Sequence, residues 1–164
     1  MSTRTDSKEV SKAEGDRRAY TLCYLFLMEV IETIGTDKAL ELLSRAADRQ
    51  ADILEKETSS HIHREGSPRE KGLEAYKHFM EDIGAQVTAT PQPNTETTVK
   101  VGRCPIYEAY LSIGLECSTW MQGLCTNIVI PSIEKTIHKF EPRLRLRIVT
   151  YRASAEEPCT LRLQ

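Results

Sequence analysis

The feature that most constrains this chain is a change of hydrophobic period close to Gly84. Before it, apolar residues recur at helical spacing, and after it short segments alternate apolar with polar residues. From Arg17 to Ile34 the apolar residues (Tyr20, Leu22, Cys23, Leu25, Phe26, Leu27, Met28, Val30, Ile31) lie almost all round a helix. That pattern predicts a central or interface helix. Gly35 is placed to stop it, and Thr36 to cap a second helix running to Glu57. Ser67-Pro68-Arg69-Glu70 has the form of a capping box with proline in the first helical position. The third helix it opens carries Leu73, Tyr76, Phe79, Met80 and Ile83 on one face.

Beyond Gly84, Ala85 to Thr90 and Thr97 to Gly102 are short segments flanking Pro91-Gln92-Pro93-Asn94, which predicts a hairpin. Two helical stretches follow, Pro105 to Leu115 and Thr119 to Phe140, the second divided or kinked by Pro131. In Arg143 to Tyr151, Leu144, Leu146 and Ile148 alternate with Arg143, Arg145 and Arg147. Cys159, Leu161 and Leu163 then alternate with Thr160 and Arg162. This is a second hairpin with an apolar face and an arginine face. The expected class is α+β: N-terminal helices on a small antiparallel sheet of about four strands, with two helices between the hairpins. Residues 17–164 form one domain in this reading, and residues 1–16 a disordered or loosely held arm.

A chain of 164 residues, 40% hydrophobic and 28% charged, has the make-up of an ordinary globular domain. Its net charge of −2 offers no global attraction to nucleic acid or anionic lipid. No apolar run approaches a membrane span, and no leader pattern opens the sequence. Five cysteines in that setting predict free thiols and a cytoplasmic protein.

Cys104 precedes Pro105 and therefore falls at the N-cap of a helix, where free amides and the helix dipole lower a thiol's pKa. Arg103 adds positive potential, and Glu108 stands four residues on, as an acid or base or simply solvated. The bland alternative is a small buried cysteine at a strand-to-helix corner. Thr119 and Gln122 read as a capping box, which puts Cys117 just outside the long helix and Cys125 about two turns in. Thr126 and Asn127 follow with hydrogen-bonding groups. Cys159 points inward with Leu161 and Leu163, and Cys23 reads as core. Cys104, Cys125 and Cys159 could converge on a metal, but no CxxC pair is present and His61 and His63 lie in a separate loop. No cofactor is implied. The arginine face lacks the interleaved aromatics of a nucleic-acid platform.

The C-terminal half, in Cys104-Pro105-Ile106-Tyr107, Leu124-Cys125, Phe140-Glu141-Pro142 and Cys159-Thr160-Leu161-Arg162, resembles the L-2-amino-thiazoline-4-carboxylic acid hydrolase family. The similarity runs from about Gly102 to Leu163. It departs at Ala155-Glu156-Glu157-Pro158, where the family often carries Gly-Asp. The resemblance implies hydrolysis of a C–N or C–S bond in a small heterocycle bearing a carboxylate, or kinship with small-molecule-binding sensor domains. On that expectation Cys104 is the nucleophile and Glu108 the proton carrier. Arg103 meets the substrate carboxylate, while Cys125, Asn127 and Cys159 line the pocket. The alternative is a non-catalytic binding or sensor domain, with or without a Cys-ligated metal. A homo-oligomer through the apolar first helix is a further expectation.

Overall fold

A computed structural model describes residues 3–60, 62, 66–92 and 96–164, with the side chains inside the first helix described from residue 14 onward. Three helices come first: α1 (Thr3–Ile34), α2 (Thr36–Thr58) and α3 (Pro68–Asp82). The hairpin β1 (Val87–Pro91) and β2 (Thr97–Val101) follows, then α4 (Pro105–Ser112) and α5 (Ser118–Leu124). A π-helical turn (Cys125–Val129) leads directly into α6 (Ile130–Ile137), and β3 (Leu146–Thr150) and β4 (Cys159–Leu163) end the chain. The fold is α+β, with its four strands in one antiparallel sheet ordered β1-β2-β4-β3. His61, His63 and part of the first hairpin's turn lie outside the described residues.

Local chemistry explains most boundaries. Ser67 and Glu70 form the capping box: the Ser67 amide donates to Glu70 Oε2 at 2.7 Å, and the Glu70 amide to Ser67 Oγ at 3.3 Å. Gly35 and Gly84 both have positive φ, 83° and 76°, a region that favours glycine. Two caps differ from the sequence pattern. Gly35 is the N-cap of α2 and Thr36 its first residue. Cys117, not Thr119, is the N-cap of α5, and no side chain closes a bond there.

The expected break at Pro131 takes a specific form. Proline lacks an amide hydrogen and crowds the carbonyl four residues back, here Asn127. The turn ahead of it widens, and the Ile130 amide donates to the Cys125 carbonyl five residues back. The helix thus continues through Pro131 with one π turn inserted.

Apolar residues of the sheet, α3 and α6 make one core: Tyr76, Met80, Val99, Val101, Ile133, Ile137, Leu144, Leu146, Leu161 and Leu163. A second core joins α1, α4 and α5 through Tyr24, Ile106, Tyr107, Ala109, Tyr110 and Met121. Cys104 and Val129 touch both cores and mark their seam. The long first helix is not central. Tyr24 is buried against α4, while Leu22, Leu25, Phe26 and Met28 are exposed and Cys23, expected in the core, is exposed with them. Among the described residues no helix is long and apolar enough to cross a membrane.

Candidate functional site

Three chain segments bring a thiol each to the seam. Cys104 ends the link from β2 to α4, Cys125 begins the π turn, and Cys159 begins β4, paired in register with Val101 of β2. All three line one cavity of about 50 Å³, walled otherwise by Tyr76, Met80, Val101, Ile106, Val129, Ile130, Ile133, Ile148, Tyr151 and Leu161. A neighbouring cavity of about 150 Å³ lies between α1, α2 and α6 and shares Ile106, Val129 and Ile133 with it. The convergence expected of these three cysteines is therefore present. Among the described residues, however, no group of three or more His, Cys, Asp or Glu is arranged to hold a metal ion.

Cys104 occupies the predicted N-cap of α4, with extended backbone (φ −140°, ψ 106°). Its environment reverses the expected effect on the thiol. Burial pushes the pKa up, and this outweighs the downward pull of the Tyr107 and Ile106 amides and of the Arg152 charge. The helix N-terminus acts in the foreseen direction, but withdrawal of the sulfur from water is the stronger influence.

Arg103 and Glu108 engage each other. Arg103 Nε donates to Glu108 Oε1 at 2.8 Å and its Nη2 to Oε2 at 3.2 Å, a two-pronged pair at the mouth of α4. Neither is among the residues lining the three-thiol cavity. Asn127 also stands apart: it is exposed, and its Nδ2 donates to the Gly123 carbonyl at 2.8 Å.

Hydroxyl groups surround Cys125. Its sulfur lies 3.9 Å from the oxygens of both Tyr110 and Tyr151, and Tyr110 donates on to the Tyr24 hydroxyl at 3.2 Å. Burial pushes the Cys125 thiol up to about 12. It also raises Tyr24, Tyr110 and Tyr151 above the ordinary phenol value. At neutral pH this chain of groups is uncharged, linking the first helix to the end of β3.

The charge at the seam comes from Arg152, which sequence reasoning missed. Only 2% exposed, it follows a bulge that shifts the β3–β4 register between Ile148 and Thr150. Its Nη2 donates to the Val101 carbonyl at 2.7 Å and to the Gly102 carbonyl, and its Nε donates to Cys159 Sγ at 3.3 Å. The guanidinium carbon stands 4.8 Å from the centre of the Tyr107 ring. Among the described residues no carboxylate forms an ion pair with it. Glu156, in the same turn, is exposed and engaged by the Ser154 hydroxyl. Because Arg143, Arg145 and Arg147 sit on a solvent-facing pattern, nothing in the sequence set Arg152 apart from them.

No protein-family model matches this chain, and no curated protein matches it as a relative.

Proposed function

We propose that this chain is a small-molecule-binding domain whose ligand enters the seam between the two cores and meets Cys104, Cys125 and Cys159. The observation that carries the reading is the convergence of three thiols, from three separate segments, on one cavity. Ligand sites are concave, mostly apolar, and oriented by a few polar groups. Here those groups are the thiols, the Tyr151 hydroxyl and the flanking Arg152. A cavity of about 50 Å³ accepts only a few heavy atoms, since typical sites occupy roughly 300–1,000 Å³. A larger ligand reaches the adjoining 150 Å³ space by displacing the shared walls Ile106, Val129 and Ile133.

Hydrolysis of a small cyclic amidine, the activity implied by the resemblance, is the second reading. The contact between Arg152 and Cys159 favours it, because it places a cation beside a possible nucleophile. Arg103 and Glu108 then act at the entrance, where their mutual ion pair must open to receive a carboxylate or a proton.

Thermal unfolding with L-2-amino-thiazoline-4-carboxylate and, separately, toluene tests the binding reading. Stabilisation by either compound that is lost in Ile148→Phe, which narrows the cavity, is the expected result. No stabilisation by either at saturating concentration counts against it. Loss of the thiazoline from solution with appearance of an acyclic thiol product separates the enzyme from the sensor.

A further inference from the structure

The two strongest thiol candidates at the seam differ in what faces their sulfur. Cys104 lies among apolar side chains of both cores, and its side chain makes no capping hydrogen bond. Cys159 receives a hydrogen bond from a guanidinium that is 2% exposed and has no carboxylate paired with it among the described residues. A charge-assisted bond of this kind strengthens as negative charge builds on the acceptor, and low local dielectric enlarges the effect. Val101 and Gly102 fix the other face of the guanidinium, so Nε is held toward the sulfur and not free to turn to solvent. Cys159 remains half-buried and lines the cavity, which gives a small molecule access to it.

The geometry points to Cys159, with Arg152 as its positioning and charge-stabilising partner, as the nucleophile of the three-thiol cavity, directed at small soft electrophiles such as an amidine-type carbon. This assignment rests on the seam being the ligand site. At an amidine-type carbon the sulfur lone pair forms the S–C bond, the C=N π pair moves to nitrogen, and the thiol proton ends on that nitrogen. No oxidant or further reactant is needed. With iodoacetamide as the probe, the S–C bond forms, the C–I bond breaks, iodide leaves and the proton goes to solvent.

Alkylation of the folded full-length chain by iodoacetamide, resolved for each cysteine by peptide mass spectrometry, tests the assignment. The exposed Cys117 serves as an internal reference. Cys159 is expected to react faster than Cys104 and Cys125, and to keep pace with Cys117 despite its lower exposure. Arg152→Met should slow Cys159 on the order of tenfold relative to Cys117, the loss of one hydrogen bond to a charged group. It should also flatten the rate advantage between pH 6 and 8. Arg152→Lys, which keeps the charge but not the fixed Nε–H, should fall between the two. Should Arg152→Met fail to fold, the wild-type ordering of the three cavity thiols and the lysine variant decide the matter. Cys104 reacting ahead of Cys159, or a Cys159 rate indifferent to both substitutions, overturns the assignment. Protection of Cys159 by the thiazoline or toluene addresses the cavity separately: a reactive, arginine-dependent Cys159 that neither compound protects leaves this assignment standing and removes the binding reading.

Discussion

The seam between the two cores and the packing of α2 on α6 are both held partly by cations, and the two regions use them in opposite ways. At the seam a single arginine is withdrawn from water and satisfied by backbone carbonyls, a sulfur and an aromatic face. Along α2 and α6 the cations are Lys135 and Lys139, at the rim. Lys135 donates to the Ser44 carbonyl at 2.7 Å and pairs with Asp48 at 2.6 Å, while Lys139 pairs with Asp52 and, at 3.7 Å, with Glu55. The rim pairs face solvent and are screened by salt. Buried groups lose far more when a partner goes, since water does not replace it. Rim charges orient two helices at little cost, whereas the seam charge commits the fold around it.

Three measurements test that contrast, beginning with the largest expected change. Arg152→Met leaves the Val101 and Gly102 carbonyls without their donor, and about 3 kcal/mol of stability should be lost in urea unfolding. A loss no greater than that of a rim substitution breaks the comparison. Next is the alkaline limb of stability. The Cys125 thiol is raised from 9.0 to about 12 by burial, so its contribution is complete below about pH 9 and is lost as pH climbs toward 12. Near pH 10 to 11 the slope should approach about 1.4 kcal/mol per pH unit for this one group. Cys125→Ala should remove that share, leaving the part due to Tyr110 and Tyr151, and an unchanged slope would show that the thiol is not closed off from water. The smallest effect belongs to Lys139→Met. Its unfolding midpoint should move less than in either seam experiment, and the difference from wild type should shrink further in 0.5 M NaCl; a shift that persists in salt would place Lys139 with the buried group.

How far the sequence foretold this structure depends on the distance over which each cause acts. The Ser67–Glu70 box and the glycine stops were legible because their causes lie within four residues. The alternation of Leu144, Leu146, Leu161 and Leu163 with arginines was legible because one sheet face is buried. The site was legible only in part. Cys104 stands at the helix start where Pro105 put it, yet the sign of its pKa shift follows from burial at a seam that distant segments build. Arg103 and Glu108 carried a local signal, a cation just before a helix and an acid in its first turn, that was read toward a substrate instead of toward each other. Arg152 carried none: its burial depends on a bulge in β3 and on carbonyls some fifty residues earlier in the chain.

The same guanidinium has a topological consequence. By gripping the Val101 and Gly102 carbonyls across 51 and 50 residues of chain, Arg152 closes a loop that contains α4, α5, the π turn, α6 and β3. A noncovalent clasp at the neck of such a loop lowers the entropy available to everything inside it once it forms, and it forms only after those elements have brought their ends together. Arg152 should therefore be among the last contacts made in folding and among the first released when the segment opens. The cavity's three thiols sit at the neck, at its rim and inside the loop, so opening the clasp and exposing the thiols are one event.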